Sequence, residues 1–301
     1  MISIKRILCP TELSPYSGNA VRYALALARA HDAELIVLHC TDSPAGEEEL
    51  RQSMQKYIDP QYSGCRFVAV PGNPVDEQIM ATAQAERIDM IVMSSRRRPH
   101  RAALLGSTAE SVSRMAPCPV LVLHNDGREF VSDTLHVDLK RVLVAYDFSD
   151  YSELALKYGV SIAQENQAEL HLLHVLPSRS VNEPEIAWYP VMGGESAYHT
   201  AARRLQKAVP PEVNLWCNVT TAVSEGHAYR EILDYAEQNE IDLISVGAHG
   251  AGFGMRALFG SNVDRVLRQA QCPVLVARPL KPRMLVTAEN TVAQWRRVLA
   301  S

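Results

Sequence analysis

The sequence predicts an α/β protein of two doubly wound domains, each a five-stranded parallel sheet with helices on both faces. Short, almost continuously apolar runs rich in Val, Ile and Leu alternate with longer segments of helical apolar spacing. Runs of that kind are typical of parallel strands that are buried on both faces. The same series of strands is written twice in 301 residues, a length that suits two domains.

Each repeat opens with a strand, a turn and an alanine-rich helix. Residues 5–9, Lys-Arg-Ile-Leu-Cys, return at 140–144 as Lys-Arg-Val-Leu-Val. The helices that follow are predicted at 19–30 and 151–163. Both second strands carry a histidine just before their last residue, and they are predicted at 33–40 and 168–175. The opening of the chain is therefore one unit used twice.

The repeats diverge after the second strand and then resume their likeness. The first repeat has a short acidic helix candidate at 47–57, whereas the second has an insert, 177–194, before a helix at 195–208. The later strands are predicted at 65–70, 88–93 and 118–123 in the first repeat and at 215–223, 241–246 and 272–277 in the second. The predicted domains are 1–127 and 138–280, followed by a C-terminal extension, 281–301, with helical apolar spacing.

Composition and charge narrow the class of protein. The formal net charge of -4 argues against nucleic acid or an acidic membrane surface as a partner. No stretch approaches the roughly 18 uninterrupted apolar residues of a membrane span, and the N-terminus lacks the apolar core of a secretion signal. The six cysteines form no Cys-x-x-Cys pair and are expected to be reduced. We expect a cytoplasmic protein.

A glycine-bearing loop follows the fourth strand of the second repeat. The order is Gly247-Ala-His-Gly250, then nine residues, then Gly260-Ser261 at the start of a predicted helix. Glycines let main-chain N–H groups approach a ligand, and a helix N-terminus attracts an anion. No Lys precedes Ser261, so this is not a Walker A loop, and it is not Gly-x-Gly-x-x-Gly either. For the glycines alone, a solvent loop that merely joins strand and helix is an equal alternative.

Together, the paired opening strands, the His-ended second strands, the Ile-Asp fourth strands, Gly-Ser and Cys-Pro-Val-Leu-Val resemble the universal stress protein family. The resemblance covers almost the whole chain as two tandem domains. It implies a Rossmann-like fold with strand order 3-2-1-4-5 in each domain and a ligand crevice between strands one and four. It also implies that the fifth strands pair across a pseudo-twofold axis within the chain, and a homodimer of chains is a further expectation.

In members of this family that bind ATP, an acidic residue after strand one meets the nucleoside, the backbone after strand two holds adenine, and the glycines with Gly-Ser hold ribose and phosphates. Carried onto this sequence, the expected cofactor-binding residues are Tyr146, Asp147, Val175, Gly247, Gly250, Gly260, Ser261 and Asn262. Ser261 is also expected to be a helix N-cap. Taken alone, Asp147 is better explained as an N-cap or turn residue before the next helix, and the adjacent glycine loop is what favours ligand contact. ATP, ADP, AMP and cyclic nucleotides are not distinguished, and Mg²⁺ is an optional companion.

The first repeat departs from this pattern. Glu12 stands where the second repeat has Asp147, and both loop glycines are missing from the stretch between Ser94 and Gly106. Four arginines at 96–98 and 101 could hold an anion, although a solvated basic loop explains them better. We interpret this half as a degenerate structural partner.

The predicted function is that of a nucleotide-dependent stress-response or signalling module. No catalytic residue is assigned, because the chain has no nucleophile elbow and no acidic pair of evident hydrolytic geometry. No metal site is predicted either, since His171 and His174 point to opposite faces of one strand. Two alternatives stay open: a nucleotide-free scaffold or chaperone-like interaction protein, and a slow ATPase.

Overall fold

The computed structural model describes residues 2–43, 45–58, 62–95, 105–124, 130–132, 135–177, 196–250 and 260–280. The first half contains β1 (Arg6–Thr11), α1 (Pro15–His31), β2 (Glu34–Cys40), α2 (Gly46–Met54), β3 (Cys65–Val70), α3 (Val75–Ala85), β4 (Met90–Ser95), α4 (Ser107–Met115) and β5 (Val120–His124). The second half contains β6 (Arg141–Ala145), α5 (Asp150–Asn166), β7 (Glu169–Leu176), α6 (Ala197–Ala208), β8 (Val219–Glu225), α7 (Ala228–Gln238), β9 (Leu243–Gly247), α8 (Ser261–Gln269) and β10 (Val274–Ala277).

All ten strands join in one sheet, in the order β3-β2-β1-β4-β5-β10-β9-β6-β7-β8. Within each half the ladders are parallel, and the order by position in the half is 3-2-1-4-5. The halves meet where β5 and β10 pair antiparallel, with Leu121 opposite Leu275. The predicted α/β class is confirmed, but the two domains share a continuous sheet, because each fifth strand is an edge that the other completes.

In each half, an equivalent aspartate immediately before the fourth strand binds the backbone at the start of the first strand. Asp89 Oδ2 accepts hydrogen bonds from the amides of Lys5 and Arg6 at 2.7 and 3.0 Å. In the second half, Asp242 Oδ2 accepts from the amides of residues 140 and 141 at 2.7 and 3.0 Å. The Ile-Asp motif of the fourth strand therefore aligns the two strands that flank the predicted crevice.

Two apolar layers cover the sheet, and each draws residues from both halves. Leu121 and Leu275 face the layer formed with α1 and α5, while Val122 and Val274 face the opposite layer with α4 and α8. This alternation is that of strands buried on both sides. All six cysteines carry free thiols.

Some predicted elements differ or lie outside the described residues. Strand β8 begins at Val219 rather than at 215, because residues 211–215 form a turn of 3₁₀ helix. The arginines at 96–101, most of the 177–194 insert and the 281–301 extension lie outside the described residues. Among the helices described, none combines the length and apolarity that a membrane crossing requires.

Candidate functional site

The carboxyl ends of β6 and β9 lie side by side at the point where the winding of the second half reverses. Ala145 pairs with Val246, so the segments that leave the two strands, at Tyr146 and at Gly247, start next to each other. In doubly wound folds a ligand binds outside the sheet at such a point. The structure therefore brings the acidic turn and the glycine loop to one edge of the sheet.

Asp147 is held in a tight turn before α5. Its Oδ1 accepts hydrogen bonds from the amide of Ser149 at 3.1 Å and from the Ser149 hydroxyl at 2.5 Å. Phe148 has a left-handed φ of 64°, and Ser149 is the N-cap of α5, whose side chain accepts a bond from the Ser152 amide. Asp147 is thus a turn residue, as one interpretation of the sequence held, and its carboxylate is fixed by that turn.

The second carboxylate oxygen of Asp147 faces the glycine loop. A Cβ added to Gly250 would lie 2.9 Å from Asp147 Oδ2, which is closer than side-chain carbons normally approach. Gly250 therefore sits directly against the acidic residue. The ring of the neighbouring His249 packs edge-on against Tyr151, with centroids 4.8 Å apart.

The three glycines of the predicted site differ in how much room their surroundings leave for a side chain. A Cβ on Gly247 would meet the backbone of Tyr151 at 2.7 Å and the amide of Ser152 at 2.9 Å, so this glycine allows α5 to pack on the end of β9. A Cβ on Gly260 would make only ordinary contact, 3.5 Å from Val263, and Gly260 has a φ of −60°. Nothing within the described residues requires glycine at 260.

The expectation that Ser261 is a helix N-cap is wrong. Gly260 is the N-cap of α8, with no side chain to cap it, and Ser261 is the first helical residue. The first intrahelical bond runs from the Asp264 amide to Gly260 O at 3.0 Å. The amides of Ser261, Asn262 and Val263 precede that bond, and such amides are the donors that a helix N-terminus offers to an anion.

Tyr146 and Val175 flank this edge from β6 and β7. Val175 is half-buried and pairs with Ser224 of β8. The Tyr146 hydroxyl donates to Glu153 Oε2 at 2.7 Å, and its ring is buried, so the side chain points toward α5. Burial and the bond to Glu153 raise the pKa of Tyr146. The contribution of this residue to the edge is its backbone, which carries Asp147.

The histidines that end the second strands brace the first-strand turns in both halves. His174 Nδ1 lies 2.7 Å from Tyr146 O, and His39 Nδ1 lies 2.9 Å from Thr11 O. A ring nitrogen must donate to a carbonyl, so Nδ1 carries hydrogen in both. Burial lowers the pKa of His174, which favours the neutral ring. These residues are positioning residues for the turns.

A cation–π contact beside the turn was not foreseen from the sequence. The guanidinium of Arg204 on α6 lies 3.8 Å from the ring centroid of Phe148, which also packs against the rings of Tyr146 and His174. Arg204 comes from the helix that follows the insert, and no local pattern in the sequence links it to Phe148. This contact holds the turn from the side of α6.

The equivalent place in the first half is an open cleft of about 690 Å³. It is lined by the ends of β1, β2 and β4 and by the start of α4, and the lining includes Glu12, His39, Cys40, Ser94 and Ser107. This cleft lies among the described residues of the first half, at the carboxyl ends of its strands. No group of three His, Cys, Asp or Glu side chains in the described part of the chain is arranged to hold a metal ion.

Comparison with known proteins agrees with this architecture. The family model of universal stress proteins matches residues 3–62, 45–124 and 138–278. A universal stress protein of Methanocaldococcus jannaschii is 32% identical over 146 residues, which are 48% of this chain and 84% of that protein. One of Mycolicibacterium smegmatis is 27% identical over 303 residues, covering 91% of this chain and 97% of that protein.

The fold is also that of solved members of the family. The crystal structure of a universal stress protein from Archaeoglobus fulgidus superposes with a TM-score of 0.65 at 24% identity, over 92% of this chain and 99% of that one. Because the family model matches both halves and covers most of the chain, the assignment does not depend on any single motif. The chain belongs to the universal stress protein family.

Proposed function

We propose that the C-terminal half binds ATP or a related adenine nucleotide and that this binding makes the chain a nucleotide-dependent stress-response or signalling module. The observation that supports this proposal most directly is the contact between Asp147 and Gly250, in which a fixed carboxylate faces a loop position without a side chain. The pairing lies at the reversal point of a doubly wound half, where such folds bind ligands.

Each residue has a role that its chemistry permits. Asp147 accepts hydrogen bonds from ribose hydroxyls, and the backbone at Val175 recognises the edge of adenine. Gly247 and Gly250 keep the loop close to the ligand, while the amides that follow Gly260, at Ser261 and Asn262, receive the phosphates. Tyr146 places Asp147. A Mg²⁺ ion, if present, accompanies the phosphates rather than a preformed set of protein ligands.

The N-terminal half acts in this proposal as a degenerate partner that completes the sheet. Glu12 replaces the aspartate, and the loop glycines are absent there. The antiparallel ladder of β5 and β10 supports an intrachain pseudo-dimer of the two halves. A cytoplasmic location and a homodimer of chains stay predictions from the sequence.

Calorimetric titration of the full chain with ATP tests the proposal. We expect Asp147→Asn to weaken binding at least about tenfold, because one charge-assisted hydrogen bond contributes roughly 1.5–3 kcal/mol, which corresponds to about 10- to 150-fold in affinity. Asp150→Asn is the matched control, since Asp150 lies three residues further on, is exposed and begins α5. Equal affinity in the Asp147 variant would contradict the assigned role.

The nature of the ligand is tested separately. Mass spectrometry of nucleotide that co-purifies with the chain identifies the phosphate number and the base. Purified protein that carries no nucleotide and gains no thermal stability with ATP, ADP, AMP or cyclic AMP would instead favour the scaffold alternative. Phosphate release that disappears in Asp147→Asn would favour a slow ATPase.

A further inference from the structure

Two helices from different halves share four charged side chains: Glu110 and Arg114 on α4, and Asp264 and Arg268 on α8. Within the helices, Arg114 lies 2.9 Å from Glu110 and Arg268 lies 2.8 Å from Asp264. Between the halves, Arg268 Nη2 donates to Glu110 Oε2 at 2.7 Å, and Arg114 Nη2 donates to Asp264 Oδ1 at 3.2 Å. Each carboxylate therefore contacts one guanidinium of its own half and one of the other.

The position of Asp264 makes its charge relevant to ligand binding. It lies in the first turn of α8, three residues after Ser261. One helical turn rises about 5.4 Å, so Asp264 lies within one turn of the amides that would receive phosphate. A negative charge there stabilises the helix itself but repels a bound anion. Neutralisation of Asp264 by the two guanidiniums removes that conflict.

The network is partly shielded from solvent. The side chains of Asp264 and Arg268 are 20% and 17% exposed, so salt screens these charges less than fully exposed ones. Burial alone would raise the pKa of Asp264, but hydrogen bonds from Arg268 and Arg114 outweigh it and hold that pKa below its ordinary value. Asp264 is therefore charged at neutral pH.

A second contact fixes α4 against the other half. Arg278, directly after β10, is buried, and its guanidinium donates to the carbonyl oxygens of Arg114 and Ala116, each at 3.1 Å, and to that of Ser113. These carbonyls lie at the C-terminal end of α4, where a cation is favourable. The backbone that carries Arg114 is thus held in place by the half that contains Asp264.

We propose that Arg114 of the N-terminal half serves the nucleotide site of the C-terminal half by neutralising Asp264, and so sets how strongly that site prefers phosphorylated adenosine. This inference rests on the proposed function. Arg114 is a positioning and charge-balancing residue that acts through Asp264 rather than by contact with ligand. The degenerate half thereby takes part in recognition at the intact one.

The test compares ATP, AMP and adenosine in calorimetric titrations of the full chain. We expect Arg114→Gln to weaken ATP binding about fivefold, to weaken AMP binding less, and to weaken adenosine binding by less than about twofold. The negative charge of Asp264 that Arg114 no longer balances repels only the phosphates. In the double variant Arg114→Gln/Asp264→Asn, ATP affinity should return to within about twofold of the unmodified protein, since the repelling carboxylate is gone. Asp264→Asn alone should not weaken ATP binding.

Arg66→Gln is the control, because Arg66 is an arginine of the same half that bridges Glu34 and Glu86, at 3.0 and 2.9 Å, away from α8. If Arg114 had only a structural role, Arg114→Gln would weaken the binding of all three ligands alike, and Asp264→Asn would not restore it. That result overturns the inference. Equal ATP affinity in Arg114→Gln overturns it while leaving the proposed function intact. Absence of binding to the unmodified protein overturns both.

Discussion

Gly106 and Gly260 precede the equivalent helices α4 and α8 but differ in backbone conformation, with φ of 92° at Gly106 and −60° at Gly260. The two Gly-Ser pairs are identical in sequence, yet only Gly106 occupies a region that side chains rarely adopt. The difference accompanies the altered loop of the first half, which lacks both glycines. Glycine is therefore required by the backbone in one half and permitted by it in the other.

Alanine at these two positions should show which glycine is required by the conformation of the backbone. We expect Gly106→Ala to lower the free energy of unfolding by roughly 1–3 kcal/mol because of its positive φ. Gly260→Ala should change stability by less than about 1 kcal/mol, since its φ suits alanine and an added Cβ has room. Urea denaturation of both variants provides the measurement. If Gly260→Ala lowered the free energy of unfolding as much as Gly106→Ala, the difference in φ between the two glycines would not explain their stability effects.

Gly247→Ala should destabilise the protein for a different reason. Its Cβ would meet the backbone of α5 at 2.7–2.9 Å, and a helix cannot yield as a flexible side chain can. We expect a loss of roughly 1–3 kcal/mol, the usual cost of overpacking. Thermal unfolding without nucleotide is the measurement, and Gly260→Ala is the control in the same loop. A fully stable Gly247→Ala protein would mean that α5 moves away without cost.

Acid should weaken the fold through the buried histidines of β7. Burial lowers the pKa of His171 and His174 from the ordinary 6.5. The unfolded chain then binds protons that the folded one does not, so stability present above pH 6.5 is lost as pH falls through 6.5 toward the folded-state pKa values.

His174→Asn is the variant that checks this pH dependence, because an asparagine amide can still donate to Tyr146 O while lacking the titration. We expect its free energy of unfolding to fall less than that of the unmodified protein between pH 7.5 and pH 5. Exposed His199→Asn is the control substitution. Identical profiles for all three proteins would show that His174 does not contribute.

The features that the sequence predicted best are those that depend on local patterns or on the repeat. Apolar runs predicted the strands, and the two copies of Ile-Asp marked where Asp89 and Asp242 hold the first strands. The contact of Gly250 with Asp147 follows from the parallel order of β6 and β9, so the sequence could foresee it once the fold was assigned.

Other features depend on three-dimensional approach and leave no local signal. Gly247 resembles any other loop glycine until α5 is placed against it. The pair of Arg268 and Glu110 is 158 residues apart in the chain, and neither side chain stands out in its own helix. The cleft of the first half was also not predicted, because the sequence alone does not show how far the strand ends lie from the start of α4.

The remaining prediction concerns the number of nucleotides bound by each chain. Both halves hold an acidic residue after the first strand, and in both a serine hydroxyl donates to it: Ser149 to Asp147 at 2.5 Å and Ser14 to Glu12 at 2.9 Å. The halves differ in sequence around that carboxylate. Gly250 lies against Asp147 in the second half, whereas the first repeat lacks both loop glycines. The first repeat therefore lacks the glycine loop on which the proposed site depends, and its acidic side chain is one carbon longer.

We therefore expect one nucleotide per chain in calorimetric titration, despite the open cleft of about 690 Å³ in the first half. Asp147→Asn and Glu12→Gln form a matched pair, because each neutralises the acidic residue of one half. The first should weaken the observed binding at least about tenfold, because it removes one charge-assisted hydrogen bond. The second should leave the binding unchanged. Two equivalents of bound nucleotide in the unmodified protein, one of them lost in Glu12→Gln, would contradict this prediction. The first half would then have kept a site, because Glu12 would contribute to recognition there as Asp147 does in the second half.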